Sequence, residues 1–194
     1  FTVNKKHVLG LCDEIIKRNL NIKWSCMGDA ISMDEETIDR MAESGCIGMK
    51  FGVESGDEAV LKRIDKPLKL NNAKSVTQWC ARRGIKTHAT FTFGLSGETE
   101  ESLQKTLDFS KDLDVDTVQF SITTPFPGTR YFDEIRTNGQ LLSTDWGDYD
   151  GSTNCLVQFE NVSQEEVENF CHSFPGRWLR NKMTKPSWVL RQFR

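Results

Sequence analysis

The chain has 194 residues, of which 37% are hydrophobic, and a formal net charge of −3. This length predicts one domain with its own core, and no apolar run reaches the roughly 18 residues of a membrane-spanning helix. The first residues also lack the apolar segment of a signal peptide. We therefore expect a cytoplasmic protein without a membrane span.

Helix and strand signals alternate from residue 4 to residue 123. In chain order we predict a helix capped by Asn4 and ending near Arg18, a strand 22–27, a helix opened by Ser32 with Glu35 and ending near Gly45, a strand 48–54, a short helix 58–64, a helix 72–83, a strand 87–95, a helix 100–113 capped by Thr99, and a strand 117–123. This alternation favours parallel strands joined by right-handed helical crossovers. Four full strands are too few for a closed eight-stranded barrel, so an open sheet or partial barrel remains.

Each predicted strand alternates between apolar and polar residues, which indicates one buried face and one polar face. We expect one common polar face to carry Ser25, Lys50, Thr90 and Gln119. Helices would cover the apolar face, and the polar face would line a ligand cavity. The alternative is an antiparallel sheet with a solvated side, against which the intervening helices argue.

Two glycine-rich segments follow predicted strands, where ligands of parallel α/β sheets bind. In the segment 52–56, Glu54 could accept hydrogen bonds from a ribose diol or an amine, or could instead cap the next helix. In the segment 94–98, glycines would let a ligand approach the backbone, although a plain strand-to-helix turn has the same sequence. A third segment, 124–129, contains Pro127-Gly128, which indicates a tight turn.

The cysteines and the basic carboxyl-terminal tail do not indicate a metal or nucleic-acid site. The six cysteines contain no C-x-x-C pair and lie at least 14 residues apart, which is wrong for a compact zinc site or a redox pair. We interpret Cys12 and Cys80, which lie in helical patterns beside apolar residues, as small buried hydrophobes in a reducing cytoplasm. From residue 171 onward there are six Lys or Arg and no Asp or Glu. Such a tail more often packs on an acidic body than binds nucleic acid.

Three of these segments, in this order, resemble motifs of the radical S-adenosylmethionine superfamily. The segments are 52–56 (Gly-Val-Glu-Ser-Gly), 93–99 (Phe-Gly-Leu-Ser-Gly-Glu-Thr) and 124–129 (Thr-Pro-Phe-Pro-Gly-Thr). More narrowly, the chain is similar to the subgroup with an amino-terminal cobalamin-binding domain, which includes the oxidative cyclase for magnesium-protoporphyrin monomethyl ester. The resemblance implies the carboxyl-terminal part of a partial (β/α)6 barrel at 1–159, followed by a helical extension at 160–194 that is basic from 171.

The resemblance also assigns cofactor-binding residues. Glu54 and Ser55 match the ribose-contacting end of a barrel strand, and Gly94, Leu95 and Gly97 match the loop that packs on adenine. Glu98 matches the acidic position of that loop, and Gln119 lies in a strand that contacts adenine through its backbone. The family usually has proline where this chain has Ser96.

One departure from the family matters most. The family holds a [4Fe-4S] cluster on C-x-x-x-C-x-x-C, and this chain has no such motif. The resemblance therefore implies a fragment of a longer enzyme, with the cluster ligands in the missing amino-terminal part. That enzyme would use S-adenosylmethionine, the cluster, an electron-donor protein and a small-molecule substrate, with cobalamin left open. Its chemistry would begin with a 5′-deoxyadenosyl radical, and the fragment alone would be inactive.

Two other functions stay open from the sequence. One is a non-catalytic binding or regulatory half-barrel that has lost the cluster. The other is an ordinary α/β enzyme that uses Glu54 or Glu98 as a base, for which His88 is the candidate second titratable group.

Overall fold

A computed structural model of the protein describes residues 1–151 and 154–193. The elements are α1 (Lys5–Lys17), β1 (Trp24–Met27), α2 (Glu35–Glu43), β2 (Cys46–Glu54), α3 (Glu58–Arg63), α4 (Leu70–Arg83), β3 (Lys86–Phe93), α5 (Glu100–Asp112), β4 (Thr117–Ile122), α6 (Arg130–Thr137), a 3-10 turn (Trp146–Asp148), α7 (Gln164–Met183) and α8 (Pro186–Gln192). Ser152, Thr153 and Arg194, which fall within the predicted ranges 1–159 and 160–194, lie outside the described residues.

The strands form one four-stranded sheet in the order β1-β2-β3-β4, and every neighbouring pair is parallel. The predicted α/β fold class with parallel strands is therefore confirmed. The apolar face is buried under helices and includes Met49, Phe51, Val53, Phe91, Phe93, Phe120 and Ile122. Lys50 pairs with His88 across β2 and β3, and Thr90 pairs with Gln119 across β3 and β4. Ser25 pairs with Gly48, which lies on the same face as Lys50. The predicted polar side chains consequently lie on one face.

Local capping chemistry sets several element boundaries. Asn4 and Thr99 cap α1 and α5 as predicted. The predicted capping role of Ser32 is wrong, because Asp34 accepts the hydrogen bond from the Thr37 amide, at 2.9 Å, at the start of α2. The Ser32 hydroxyl instead donates to the carbonyl of Thr2 at 3.0 Å. A capping pattern considers only neighbouring residues, so it could not reveal that Ser32 hydrogen-bonds to Thr2.

The helix α7 covers the apolar face beside β4. Phe174 packs edge-on against Phe93 and Phe120, with ring centroids 5.0 and 5.6 Å apart. Trp178 donates from its indole nitrogen to the carbonyl of Ser110, at 3.0 Å. The carboxyl-terminal segment thus packs on the body of the protein, as predicted for the tail, although the boundary at 159/160 stays a prediction.

A buried lysine joins α7 to the end of α5. Lys182 is 2% exposed, and its ammonium donates to the carbonyls of Lys111, at 3.0 Å, and Leu113. Burial lowers the pKa of Lys182 to about 8. A cation that satisfies the last carbonyls of a helix also complements the helix dipole.

Within the described part of the chain, no helix is long and apolar enough to cross a membrane.

Candidate functional site

Glu54 is the last residue of β2 and an acidic group at the carboxyl end of the sheet. One carboxylate oxygen accepts a hydrogen bond from the Thr92 hydroxyl at 3.0 Å, and the other pairs with the Lys66 ammonium at 3.2 Å. The Glu54 side chain remains 26% exposed. Its oxygens are therefore held in a fixed orientation but can still be reached by a ligand.

The backbone at Glu54 is unusual. Its φ is +70°, and the register between β2 and β3 shifts between Gly52 and Glu54. A residue other than glycine in this region costs on the order of 1 kcal/mol, and such strain clusters at binding sites. Glu54 follows Lys50 and Gly52 on the polar side of the strand alternation, and its carboxylate lies beside Thr92 of the same face.

Ser55 points away from this cluster. Its side chain is fully buried, and its hydroxyl lies 3.2 Å from the Thr106 hydroxyl of α5 and accepts from the Asp57 amide at 3.1 Å. The Gly56 amide donates to the same Thr106 oxygen at 2.9 Å. The structure thus does not bring the Ser55 side chain together with Glu54, and Ser55 instead joins the loop after β2 to α5.

The loop after β3 is organised around Glu98. Gly94 and Gly97 have φ of +74° and +77°, which favours glycine at both positions. One carboxylate oxygen of Glu98 accepts from the amides of Gly94, at 2.7 Å, and Leu95, at 3.1 Å. The glycines make the turn, and Glu98 holds it in shape, which leaves Ser96 exposed at the tip.

Glu98 is 1% exposed, and its second carboxylate oxygen has no hydrogen-bond partner among the described residues. Burial raises the pKa of the Glu98 carboxyl to about 7, despite the two amide hydrogen bonds that act in the opposite direction. Desolvation disfavours the charged form of an acid. The loop is consequently sensitive to protonation near neutral pH.

We expect Glu98→Gln to remove one contribution to the pH dependence of unfolding. A raised pKa in the folded state means that the stabilisation is fully present below the unfolded pKa of 4.5 and is lost as the pH rises through about 7. The free energy of unfolding of the native protein, relative to Glu98→Gln, should therefore fall across this window. Urea unfolding at several pH values would measure it, with the exposed Glu100→Gln as the control. A constant difference from pH 4.5 to pH 7 would contradict the assignment.

Gln119 lies deeper on the polar face than Glu54. Its side-chain oxygen accepts a hydrogen bond from the Lys50 ammonium at 3.2 Å. Thr90, its register partner, lies two residues before Thr92 on β3. Gln119 therefore belongs to the same face as Glu54 but not to the same hydrogen-bonded cluster.

Sequence analysis did not single out Thr92 as a partner of Glu54, or Arg63 as a neighbour of the loop. The guanidinium of Arg63 covers Gly97, at the position that a Cβ would occupy. The alternation of polar residues along β3 could have identified Thr92, because it places Thr92 on the polar face. The position of Arg63 depends on how α3 packs, which no local pattern reveals.

The arrangement does not favour acid–base catalysis by His88 with either glutamate. His88 lies four residues before Thr92 on β3, about 13 Å along the strand at roughly 3.3 Å per residue. Its Nδ1 is 2.7 Å from the Thr117 hydroxyl. Within residues 1–151 and 154–193, no group of three or more His, Cys, Asp or Glu side chains is arranged to hold a metal ion.

Comparison with known proteins identifies the family of this chain. The radical SAM superfamily model matches residues 3–110. An uncharacterized methyltransferase of Pyrococcus horikoshii is 32% identical over 184 residues, which are 94% of this chain and 40% of that protein. The anaerobic magnesium-protoporphyrin IX monomethyl ester cyclase of Rubrivivax gelatinosus is 29% identical over 136 residues, or 69% of this chain and 24% of the cyclase.

Solved structures of a radical S-adenosylmethionine methyltransferase have a similar fold. The radical S-adenosylmethionine methyltransferase TsrM from Kitasatospora setae, with tryptophan and a SAM analog bound, has a TM-score of 0.63 and 25% identity, and covers 69% of this chain and 27% of TsrM. TsrM with cobalamin and a [4Fe-4S] cluster bound gives a TM-score of 0.64 at 24% identity, over 85% of this chain and 35% of TsrM. This chain thus spans well under half the length of these relatives. On the strength of the match over residues 3–110, the chain belongs to the radical SAM superfamily.

Proposed function

We propose that the chain is part of a radical SAM enzyme, in which it supplies the ribose- and adenine-binding side of the S-adenosylmethionine site and part of the substrate cavity. The observation that carries the proposal is the Glu54 carboxylate, held at the carboxyl end of β2 by Thr92 and Lys66. The glycine loop 94–98 follows the neighbouring strand β3 at the same edge. Membership of the superfamily implies S-adenosylmethionine and a [4Fe-4S] cluster as cofactors.

The residues at this edge suit the nucleoside part of S-adenosylmethionine. A partly exposed carboxylate can accept hydrogen bonds from both ribose hydroxyls. Hydrogen bonds to a charged acceptor are shorter and stronger than those between neutral groups. The loop 94–98 turns through small residues, whose backbone a flat base can approach on the side of Gly97 away from Arg63. In this assignment Glu54 binds the ribose, Gly94, Leu95 and Gly97 lie against the adenine, Glu98 positions that loop, and Ser55 fixes the neighbouring one. Gln119 would line the cavity from β4.

The cluster does not fit this chain. No described group of cysteines or other ligands is arranged to hold a metal, and no C-x-x-x-C-x-x-C occurs in the sequence. We therefore propose that cluster ligands come from other parts of the protein and that this chain alone is inactive. With the cluster present, S-adenosylmethionine would supply radical chemistry, while the residues above bind and orient it and exclude water. An electron-donor protein is the partner that this chemistry requires.

The relatives bear on the reaction type. The uncharacterized methyltransferase and the cyclase support a methyltransferase or an oxidoreductase/cyclase acting on a small molecule. The TsrM structure with cobalamin bound supports cobalamin as a further cofactor of the whole protein.

Hydrogen exchange of the full-length, cluster-reconstituted protein would test the proposal. We expect S-adenosylmethionine to slow amide exchange in the segments 52–55 and 94–98. The segment 19–23 precedes β1 at the opposite edge of the sheet, and its exchange should not change. No binding by the reconstituted protein would contradict the function. Binding without protection of either segment would contradict the assigned residues.

A further inference from the structure

The middle of the polar face carries an unneutralised positive charge. Lys50 is half-buried on β2, and its ammonium donates to the neutral Gln119 at 3.2 Å. Among the ion pairs of the described residues, none involves Lys50, whereas Lys66 at the edge of the same face is paired with Glu54. An ammonium without a carboxylate partner is free to donate to an anionic group that reaches this face.

The neighbouring groups do not supply that counter-charge. His88, the register partner of Lys50, shares a hydrogen bond with Thr117. Burial, and then the charge of Lys50, lower the pKa of His88, which favours the neutral ring. Asp116, at the entry to β4, pairs with Arg191 at 3.0 Å and accepts from the Thr87 amide at 2.7 Å.

There is room for a ligand above Lys50. Gly48 and Gly52 precede and follow it on the same face of β2, so no side chain on its own strand covers it. Lys50 lies four residues from Glu54, about 13 Å along the strand at roughly 3.3 Å per residue. A group bound at Lys50 would therefore lie deeper in the cavity than a nucleoside bound at Glu54.

We propose that Lys50, with Gln119 and His88 beside it, binds an anionic oxygen-bearing group of the substrate, a carboxylate or a phosphate. Lysine binds such groups as a compact point charge with several donors. Gln119 would add an amide donor, and the imidazole would add a second neutral hydrogen-bonding group. This inference rests on the proposed function, because it takes the polar face as the substrate cavity.

Titration calorimetry of the full-length, reconstituted protein with inorganic phosphate and with acetate tests it. We expect the protein to bind at least one of the two. Binding of phosphate alone would identify a phosphate-type substrate group, and binding of acetate would identify a carboxylate. Lys50→Met should weaken this binding about tenfold or more, as expected for loss of a charged hydrogen bond, and Lys50→Arg should restore most of it. Lys17→Met, on the exposed side of α1, is the matched control and should bind as the native protein does.

Two results would overturn the inference. One is that Lys50→Met binds whichever anion the native protein binds equally tightly, or that the native protein binds neither anion. The other is loss of S-adenosylmethionine binding in Lys50→Met, which would assign Lys50 to the cofactor instead of the substrate. Failure of the native protein to bind S-adenosylmethionine would contradict the proposed function, while the anion titration would still decide the role of Lys50.

Discussion

Glu54→Ala in the full-length protein should weaken S-adenosylmethionine binding about ten- to hundred-fold. The substitution removes the carboxylate proposed to accept from the ribose hydroxyls, and a hydrogen bond to a charged group is worth about 1.5–3 kcal/mol. The fold itself should change little, since the Glu54–Lys66 pair is partly exposed and such pairs contribute about 1 kcal/mol or less. Titration calorimetry would measure the affinity, and thermal unfolding would verify the fold.

Two further variants sharpen this test. Glu54→Gln keeps the size of the side chain and one acceptor but removes the charge, so its affinity should fall between that of the native protein and that of Glu54→Ala. Glu58→Ala, an exposed position in the first turn of α3, removes a nearby carboxylate that the proposal does not use. If Glu54→Ala and Glu54→Gln bind S-adenosylmethionine as tightly as the native protein and Glu58→Ala do, the cofactor does not contact Glu54.

The sheet could be predicted because its signals are local. Alternation in β2, β3 and β4 fixes which side chains share a face, and the position of Glu54 after a strand fixes the edge where it lies. The partner of Ser55 could not be predicted in the same way. Ser55 keeps the buried parity of Phe51 and Val53 and is itself buried. Its contact with Thr106 depends on how α5 packs on the loop after β2, which no local pattern reveals.

The separate roles of Gly52 and Gly56 could not be predicted from the sequence either. Both glycines flank Glu54, and either one would let a ligand approach the backbone. The structure separates them: Gly52 lies on the polar face beside the Glu54 carboxylate, whereas Gly56 lies against the backbone of α5. Only packing between elements distant in sequence distinguishes a glycine needed by a ligand from one needed by a helix.

Gly56→Ala should therefore be strongly destabilising. A Cβ at this position would lie 2.6 Å from the Thr106 Cα, 2.7 Å from the Lys105 carbonyl oxygen and 2.7 Å from the Phe109 Cβ. These are mostly backbone atoms of α5, so no rotation of a side chain relieves the clash. Overpacking of this kind costs about 1–3 kcal/mol and sometimes more, and it should also strain the hydrogen bond from the Gly56 amide to Thr106.

A matched glycine gives the opposite expectation. Gly10 lies inside α1, and a Cβ built there meets nothing within 4 Å. Gly10→Ala should stabilise the protein by up to about 1 kcal/mol, because alanine favours the helix over glycine. Urea unfolding of both variants would compare them directly. A Gly56→Ala protein as stable as the native one would mean that the loop after β2 can move off α5, and the fixed position of the Glu54 carboxylate would then lose its structural basis.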